Sequence, residues 1–305
     1  MNYYSLNEYY KQKYGKKVYR LAISGGMTCP NRDGSLGTRG CIFCSAGGSG
    51  EFAASCDLSV RDRLEAAKRR VSRKTADDVY IAYFQPFTNT YADVNTLRRL
   101  YEEAIAPDFI VGLAIGTRPD CLPPEVIDLL SEINAKKPVT VELGLQTIHE
   151  ATARAIRRGY PLEVYDKAVD DLHRIGVNVI THVILGLPGE TEKMMYETVR
   201  YIADKTDGVK LQLLHVLSDT DLADPYRKGE FSTLSLEDYT RILCCCIELL
   251  PKNVVICRIT GDGDKRSLIA PLWSADKKRV LNFINAYIRD HNIEQGTRYE
   301  VKNNR

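Results

Sequence analysis

The stretch Cys29-Pro-Asn-Arg-Asp-Gly-Ser-Leu-Gly-Thr-Arg-Gly-Cys41-Ile-Phe-Cys44 directly follows the first predicted strand, Val18–Ile23, and is termed the cysteine loop. Its three glycines let the backbone fold tightly, and Arg32 and Arg39 can offset the charge of clustered thiolates. Thiolates select soft metals, so iron–sulfur and zinc are the candidates, with ordinary reduced cysteines as the alternative. The loop therefore points to a metal centre just after a strand.

The number of thiols in this loop bears on the kind of metal. A structural zinc site normally uses four ligands, and no fourth Cys or His is obviously spaced to join Cys29, Cys41 and Cys44. Three thiolates on a four-iron cluster would leave one iron open for a further ligand. The spacing therefore favours a four-iron cluster, and zinc remains the alternative.

The other cysteines are expected to be structural. The chain has nine cysteines and no secretion signal, which favours reduced thiols or metal ligands over a disulfide framework. Cys244-Cys245-Cys246 falls in a helical segment, where consecutive side chains point about 100° apart. We expect these three to pack in or near the core, and Cys56 to be structural. An auxiliary cluster is the alternative, and it would need ligands such as Cys257 or Cys121.

The pattern beyond the loop predicts an α/β fold. Short β-branched runs alternate with segments of helical spacing, which is typical of parallel βα units. The predicted strands are Val18–Ile23, Val79–Phe84, Phe109–Ile115, Val139–Leu145, Val177–Leu185 and Val209–Val216. Six units predict a partial (βα)6 TIM-like barrel, with its reactive face at the carboxyl ends of the strands.

The alternation of predicted strands and helices changes after about Asp219. A helical pattern over Leu236–Leu250, a strand over Val254–Ile259 and a second helical pattern over Lys277–Ile288 predict a C-terminal α/β extension. We therefore divide the chain into a basic and aromatic N-terminal segment (1–20), the partial barrel (21–219) and the extension (220–305).

Charge and composition exclude several classes of protein. The chain has 305 residues, 44% of them hydrophobic, which is enough to fill a core. Lys and Arg number 42 against 40 Asp and Glu, so the net charge of +2 gives no general drive toward nucleic acid or membrane. No apolar run approaches the roughly 20 residues that span a bilayer. We expect a cytoplasmic protein with no membrane partner.

Further motifs follow the cysteine loop along the chain. They are Tyr83-Phe-Gln-Pro-Phe-Thr-Asn-Thr90, Gly116-Thr-Arg-Pro-Asp120, Glu142-Leu-Gly-Leu-Gln146, His182-Val-Ile-Leu-Gly-Leu-Pro-Gly-Glu190, Thr260-Gly-Asp-Gly-Asp264 and Leu268-Ile-Ala-Pro-Leu-Trp273. With eleven residues between Cys29 and Cys41, the set resembles the Elp3-like branch of the radical S-adenosylmethionine (SAM) superfamily, and it looks like the YtqA/YhcC family along nearly the whole chain.

The resemblance implies both the cofactors and their chemistry. A [4Fe–4S] cluster on Cys29, Cys41 and Cys44 would bind SAM at its open iron and reduce it to a 5′-deoxyadenosyl radical. The fold implied is a partial barrel of the radical SAM type. The electron would come from a reductant such as flavodoxin or ferredoxin.

The resemblance also implies SAM-binding residues. Phe43 resembles the aromatic whose backbone contacts the adenine, and Arg158 stands at the spacing of an arginine that binds the SAM carboxylate. The full set of candidates is Phe43, Gln85, Thr117, Gln146, Arg158 and His182. Two simpler interpretations remain open: Gln146 as a capping residue, and Arg158 as a cation in the last turn of a helix ending at Gly159.

The substrate is implied by the same family. Members of the YtqA type are implicated in modifying the wobble uridine of transfer RNA (tRNA), converting 5-carboxymethylaminomethyl-(2-thio)uridine to 5-aminomethyl-(2-thio)uridine. A basic side chain would hold the substrate carboxylate, and Arg118, Arg258 and Lys265 are candidates, although Arg118 could instead pair with Asp120. Asp262 and Asp264 could receive an amine or merely make a turn.

Local charge gives a second argument about tRNA. Basic residues gather in Lys11–Arg20, Arg61–Lys74 and Lys277–Arg279, and tyrosines accompany the first group. Such a surface suits RNA whose bases stack on aromatics, but basic residues on helices are more often solvated faces. The alternatives are a radical SAM enzyme with a small-molecule or protein substrate, and a non-catalytic RNA-binding protein with a structural metal. We find no acetyl-coenzyme A binding domain after residue 219, so acyl transfer is not expected.

Overall fold

The core of the protein is a curled sheet of seven parallel strands. The computed structural model describes residues 2–48, 58–72, 77–261 and 263–300. The described residues form these seven strands and a separate pair, β7 and β9. In chain order the strands are β1 (Tyr19–Ile23), β2 (Tyr80–Phe84), β3 (Ile110–Thr117), β4 (Val139–Gln146), β5 (Asn178–Leu185), β6 (Gly208–Leu213), β7 (Val216–Leu217), β8 (Val255–Arg258) and β9 (Leu268–Ala270). The sheet has the order β1-β2-β3-β4-β5-β6-β8. The predicted partial α/β barrel is thereby confirmed.

Ten helices in the described ranges surround or flank this sheet. They are α1 (Leu6–Tyr14), α2 (Val60–Val71), α3 (Val94–Ile105), α4 (Pro124–Lys136), α5 (Glu150–Ala155), α6 (Leu162–Arg174), α7 (Glu192–Ile202), α8 (Ala223–Arg227), α9 (Leu236–Leu249) and α10 (Lys277–Asp290). Ser59, Asp93 and Thr191 begin α2, α3 and α7 by accepting a backbone N–H of the first turn. Pro124 is the first residue of α4, a position where proline is favoured.

Two details of the predicted strands are wrong. The run Val209–Val216 is broken after Leu213, because Val216 and Leu217 pair in antiparallel fashion with β9 rather than continuing along β5. The sheet also has a seventh strand, β8, which the sequence pattern placed in the C-terminal extension. Its Val255 and Ile256 are buried beside β6, so the extension completes the barrel sheet as well as covering it.

Helix α1 lies at the amino ends of the strands. Tyr10 in this helix accepts a hydrogen bond from Arg20 at the start of β1 (3.1 Å), and Tyr9 accepts one from Asn178 at the start of β5 (3.3 Å). Because the cysteine loop follows the carboxyl end of β1, α1 and the loop are at opposite ends of the barrel.

The other cysteines lie where packing was expected. Cys244, Cys245 and Cys246 are all buried within α9. Cys121 is buried too, whereas Cys56 lies outside the described residues. Within the part of the chain that the structure describes, no helix is both long and apolar enough to cross a membrane.

Candidate active site

The three cysteines of the loop open into one cavity at the carboxyl ends of the strands. Cys29, Cys41 and Cys44 line this first cavity, which has a volume of about 170 Å³. The location is the one expected of a reactive site in a parallel α/β barrel, where the loops after the strands meet. The structure thus brings together the three thiols that the spacing singled out.

Two polar side chains fix the shape of the cysteine loop. Arg32 donates from one guanidinium nitrogen to the carbonyls of Cys44 (2.9 Å) and Ser45 (2.6 Å). Gly40 has a φ of +74°, and a Cβ atom there would lie 3.0 Å from Nε of Arg32. A glycine is therefore required where the loop folds back on Arg32. Asn31 donates to the carbonyl of Arg157 at 2.7 Å and so joins the loop to the segment after β4.

Burial raises the pKa of two of the loop thiols. Burial, followed by the neighbouring Cys44, raises the pKa of Cys41 to about 11. Burial also raises the pKa of Cys44, and the hydrogen bond from Arg32 opposes that rise. Among the described residues, no His, Cys, Asp or Glu side chains form a group of three that could hold a single metal ion. Three half-buried thiols around a common cavity fit a larger soft-metal cluster, to which each thiol would contribute one ligand.

All six candidates for SAM binding line the first cavity: Phe43, Gln85, Thr117, Gln146, Arg158 and His182. Arg158 is 1% exposed, and its guanidinium donates to the carbonyls of Tyr160 (2.9 Å) and Thr147 (2.6 Å) and to Glu150 (2.7 Å). Helix α5 ends at Ala155, so Arg158 lies beyond its last turn. The guanidinium N–H groups of Arg158 are already bonded, so the carboxylate of SAM would have to share them with these acceptors.

Two more of these candidates have internal partners. The hydroxyl of Thr117 is 2.5 Å from that of Thr90. Gln146 has a φ of +64°, and its amide nitrogen can donate to the carbonyls of Gly144 (3.0 Å) and Leu145 (2.9 Å). Backbone strain at a non-glycine residue beside a cavity is a frequent mark of a functional position.

The structure places only some of the candidate substrate-binding residues at the first cavity. Arg118 makes the pair with Asp120 that the sequence left open, through bonds of 2.9 and 2.7 Å, and it also donates to the carbonyl of Arg158. Lys265 is exposed and is absent from the residues that line the described cavities. Asp262 lies outside the described residues. Arg258 remains as a basic candidate in the first cavity.

A second cavity adjoins the first. Phe43, Cys44 and Gln85 line both cavities, as do Gln212 and Arg258. The second cavity, also of about 170 Å³, continues to His215 and to the loop that contains Gly261 and Asp264. Gly261, Gly263 and Asp264 therefore line one side of a space that begins at the cysteine loop.

Sequence reasoning missed a buried ionic layer beneath the first cavity. Glu142 on β4 is fully buried and bonds to Arg20 on β1 and Lys210 on β6. It also accepts hydrogen bonds from the hydroxyl of Tyr83 (2.6 Å) and from Nε2 of His182 (3.0 Å). Although burial opposes ionisation, Lys210 and Arg20 hold the pKa of Glu142 well below its usual range. The carboxylate is therefore charged.

A signal for this layer was present in the strand patterns. Successive side chains of a barrel strand point alternately to the interior of the barrel and to the surrounding helices. Within β6, Val209, Leu211 and Leu213 are apolar, while Lys210 and Gln212 between them are polar. Polar residues at alternate positions of a buried strand indicate an interior-facing site.

The proposed RNA-stacking surface of the N-terminal segment is not next to this site. Tyr9, Tyr10 and the lysines of α1 lie at the amino ends of the strands, and Tyr10 is buried against Arg20. These tyrosines serve to close the lower end of the barrel. They cannot present a base to the cavity at the other end.

Family comparisons agree with this site. Residues 34–202 match the Radical SAM superfamily and residues 206–290 match the Radical_SAM C-terminal domain. YtqA of Bacillus subtilis is 43% identical over 295 residues, which cover 96% of this chain and 92% of YtqA. YhcC of Escherichia coli is 35% identical over 93% of this chain and 91% of YhcC. The tRNA uridine(34) acetyltransferase of Methanocaldococcus jannaschii is 28% identical over 60% of this chain and 34% of that enzyme.

Solved structures share the fold. Elp3 from Methanocaldococcus infernus superposes with a TM-score of 0.70 at 18% identity, covering 91% of this chain and 64% of that one. Coproporphyrinogen III oxidase from Escherichia coli gives a TM-score of 0.50 at 15% identity, covering 80% of this chain and 51% of that one. The chain therefore belongs to the radical SAM superfamily, whose enzymes use a [4Fe–4S] cluster and SAM, and it has Elp3-like relatives.

Proposed function

We propose that this radical SAM enzyme modifies the wobble uridine of tRNA, converting 5-carboxymethylaminomethyl-(2-thio)uridine to 5-aminomethyl-(2-thio)uridine. One structural observation carries the proposal: the three thiols and a layer of basic side chains open into the same cavity. The similarity to a tRNA uridine(34) acetyltransferase and to Elp3 supports tRNA as the partner.

In this proposal Cys29, Cys41 and Cys44 hold the cluster. Bound cluster and SAM would together supply a 5′-deoxyadenosyl radical as the hydrogen-abstracting agent. Arg32 keeps the thiols at the cavity by holding the backbone of Cys44 and Ser45. An external reductant such as flavodoxin or ferredoxin would deliver the electron.

The candidate SAM-binding residues surround the space above the ionic layer. Phe43 lies within the cysteine loop and would offer its backbone to the adenine. Gln85, Gln146 and His182 contribute polar atoms from β2, β4 and β5 or the ends of those strands. Arg158 holds the segment after β4 in place, because three of its hydrogen bonds are to residues of that segment.

The substrate methylene has the chemistry that such a radical needs. It lies between an amine nitrogen and a carboxylate, both of which stabilise a radical on the carbon between them. Hydrogen transfer would give 5′-deoxyadenosine and a substrate carbon radical. Loss of one electron from that radical to the oxidised form of the external carrier, and of a proton, would give an imine. Water would hydrolyse the imine to the 5-aminomethyl group and glyoxylate. The residues of the cavity must therefore hold the carboxylate still while the methylene faces the thiol end.

Nucleoside analysis of tRNA tests this function. Cells that lack the protein should accumulate 5-carboxymethylaminomethyluridine or its 2-thio form and lose the 5-aminomethyl form. The parent gene should restore the 5-aminomethyl nucleoside, whereas a Cys44→Ala gene should not. An unchanged wobble nucleoside in the deletion strain would contradict the proposal and favour a different substrate.

A further inference from the structure

Three basic side chains form a row across the sheet under the first cavity. In the strand register His182 on β5 is opposite Lys210 on β6, and Lys210 is opposite Arg258 on β8. All three side chains line the cavity. On the other side of the row Gly144 is opposite His182 and contributes no side chain. The row therefore faces space that a ligand can enter.

The charges beneath this row do not balance within the group around Glu142. That carboxylate is shared by two cations, Arg20 and Lys210, so one positive charge is left over. Burial, and then the positive charge of Lys210, lower the pKa of His182 to about 4, so its imidazole is neutral near pH 7. A buried excess of positive charge favours an anionic ligand.

Two further basic side chains of the cavity, Arg118 and Arg158, are bonded to atoms of the loops. Arg118 is paired with Asp120, and Arg158 is bonded to Glu150 and to two carbonyls. Both lie on the loops after their strands, near Asn31 and the cysteine loop. Lys210 and Arg258 belong to strands β6 and β8, and both side chains line the first cavity.

We propose that Lys210 and Arg258 form the subsite for the substrate's carboxylate, with Gln212 as a neighbouring amide donor. The inference rests on the proposed function and deepens it. Gln212 follows Lys210 by two residues on β6, so both point to the same face of the sheet, and Gln212 lines both cavities. The substrate's carboxylate binds at the strand residues Lys210 and Arg258. The rest of the substrate then extends toward the second cavity.

Binding to matched RNA ligands tests the subsite directly. The cluster-loaded, SAM-saturated protein would be titrated with an anticodon stem-loop carrying 5-carboxymethylaminomethyluridine and with the same stem-loop carrying the neutral carboxamide. The parent should prefer the carboxylate by about 10- to 100-fold, as expected for charge-assisted hydrogen bonds. Lys210→Met should reduce that preference to near one, and Lys210→Arg should retain most of it.

Lys228→Met is the matched control, because it removes one lysine charge at an exposed position outside both cavities. It should bind like the parent. Arg258→Gln gives a second test that leaves the contacts of Glu142 in place, and it too should lose the preference. If Lys210→Met and Arg258→Gln both keep the preference, the subsite is wrong. If they weaken SAM binding instead, the row binds the carboxylate of SAM and the assignment is overturned.

A small ligand separates this inference from the proposed function. Should the parent bind neither stem-loop, the tRNA assignment fails, and acetate is then compared with acetamide at constant ionic strength. Acetate should raise the thermal midpoint of the parent and of Lys228→Met more than acetamide does, with no difference for Lys210→Met. An equal response to both compounds in the parent would show that the row does not bind a carboxylate.

Discussion

Asn31 reaches from the cysteine loop to the segment after β4, where its side-chain amide donates to the carbonyl of Arg157 at 2.7 Å. The same amide nitrogen lies 3.4 Å from Sγ of Cys41. Asn31 is 6% exposed, so water cannot readily replace these bonds. One buried side chain therefore joins a candidate cluster ligand to the segment that follows α5.

Removing that link should make the cluster easier to lose. Asn31→Ala leaves the carbonyl of Arg157 without this donor, at a cost of about 1–3 kcal/mol. We expect faster loss of visible absorbance when the reconstituted protein is challenged with an iron chelator under anaerobic conditions. Ser35→Ala is the control, because Ser35 bonds to Tyr91 on the exposed side of the same loop. Equal rates for Asn31→Ala and the parent would contradict the role of Asn31.

Replacing Glu142 alone should lower the free energy of unfolding more than replacing Glu142 and Lys210 together. Glu142→Gln keeps the shape but leaves Arg20 and Lys210 without their carboxylate, and breaking such a buried pair costs about 3–5 kcal/mol. Adding Lys210→Met should recover at least about 1 kcal/mol, since one unpaired charge is removed. Urea unfolding of the parent, the two single variants and the double variant measures this coupling. Additive losses would show that Glu142 and Lys210 do not stabilise each other.

Carboxylate binding should weaken in alkaline solution. Burial, together with the positive charges of Arg258 and Arg20, lowers the pKa of Lys210 to about 8, although Glu142 opposes this shift. The groups that face Lys210 are Arg20, Tyr83, Glu142, His182 and Arg258. Lys210 is charged below its pKa, so the preference for the carboxylate stem-loop is present at pH 7 and is lost as pH rises through and above about 8.

The arginine variant is the control for this pH dependence. Lys210→Arg carries a charge that does not titrate in this range, so its preference should persist at pH 9.5. The measurement is the ratio of dissociation constants for the two stem-loops between pH 6.5 and 9.5. A ratio that falls equally in the parent and in Lys210→Arg would assign the pH dependence to another group.

The loop that closes the second cavity should not tolerate a side chain at Gly261. A Cβ atom there would lie 2.2 Å from Cε1 of His215 and 3.2 Å from the carbonyl oxygen of Leu213. Gly261→Ala should lower the thermal midpoint, corresponding to about 1–3 kcal/mol of overpacking, and weaken stem-loop binding. Combining it with His215→Ala removes the closer contact and should restore part of both losses. No change in Gly261→Ala would mean that the loop shifts freely.

Much of the barrel follows from local patterns in the sequence. Val139, Val141 and Leu143 are buried at alternate positions of β4, and Pro124 begins the helix before it, so the strand and helix were both predictable. The cysteine loop was predictable because metal chemistry restricts its residue types. Its position at the carboxyl end of β1 then follows from the topology.

What could not be predicted depends on contacts between distant parts of the chain. Val255 and Ile256 resemble any short buried strand, and only pairing with β6 places them in the barrel sheet. Lys210 alternates with apolar residues on β6, which marks its face of the strand, but its partner Glu142 is 68 residues earlier in the chain. Arg158 looked like a ligand for SAM by its spacing, yet Glu150 and two carbonyls already engage it.

The most direct test of the account is SAM cleavage by the anaerobically reconstituted protein with dithionite as reductant. We predict that the parent forms 5′-deoxyadenosine and that Cys29→Ala, Cys41→Ala and Cys44→Ala do not. Cys244→Ala, which changes a thiol buried in α9, should remain active. If a fully clustered parent forms no 5′-deoxyadenosine even with tRNA present, or if all three loop variants remain active, the assignment of the cysteine loop as the radical-generating centre is wrong.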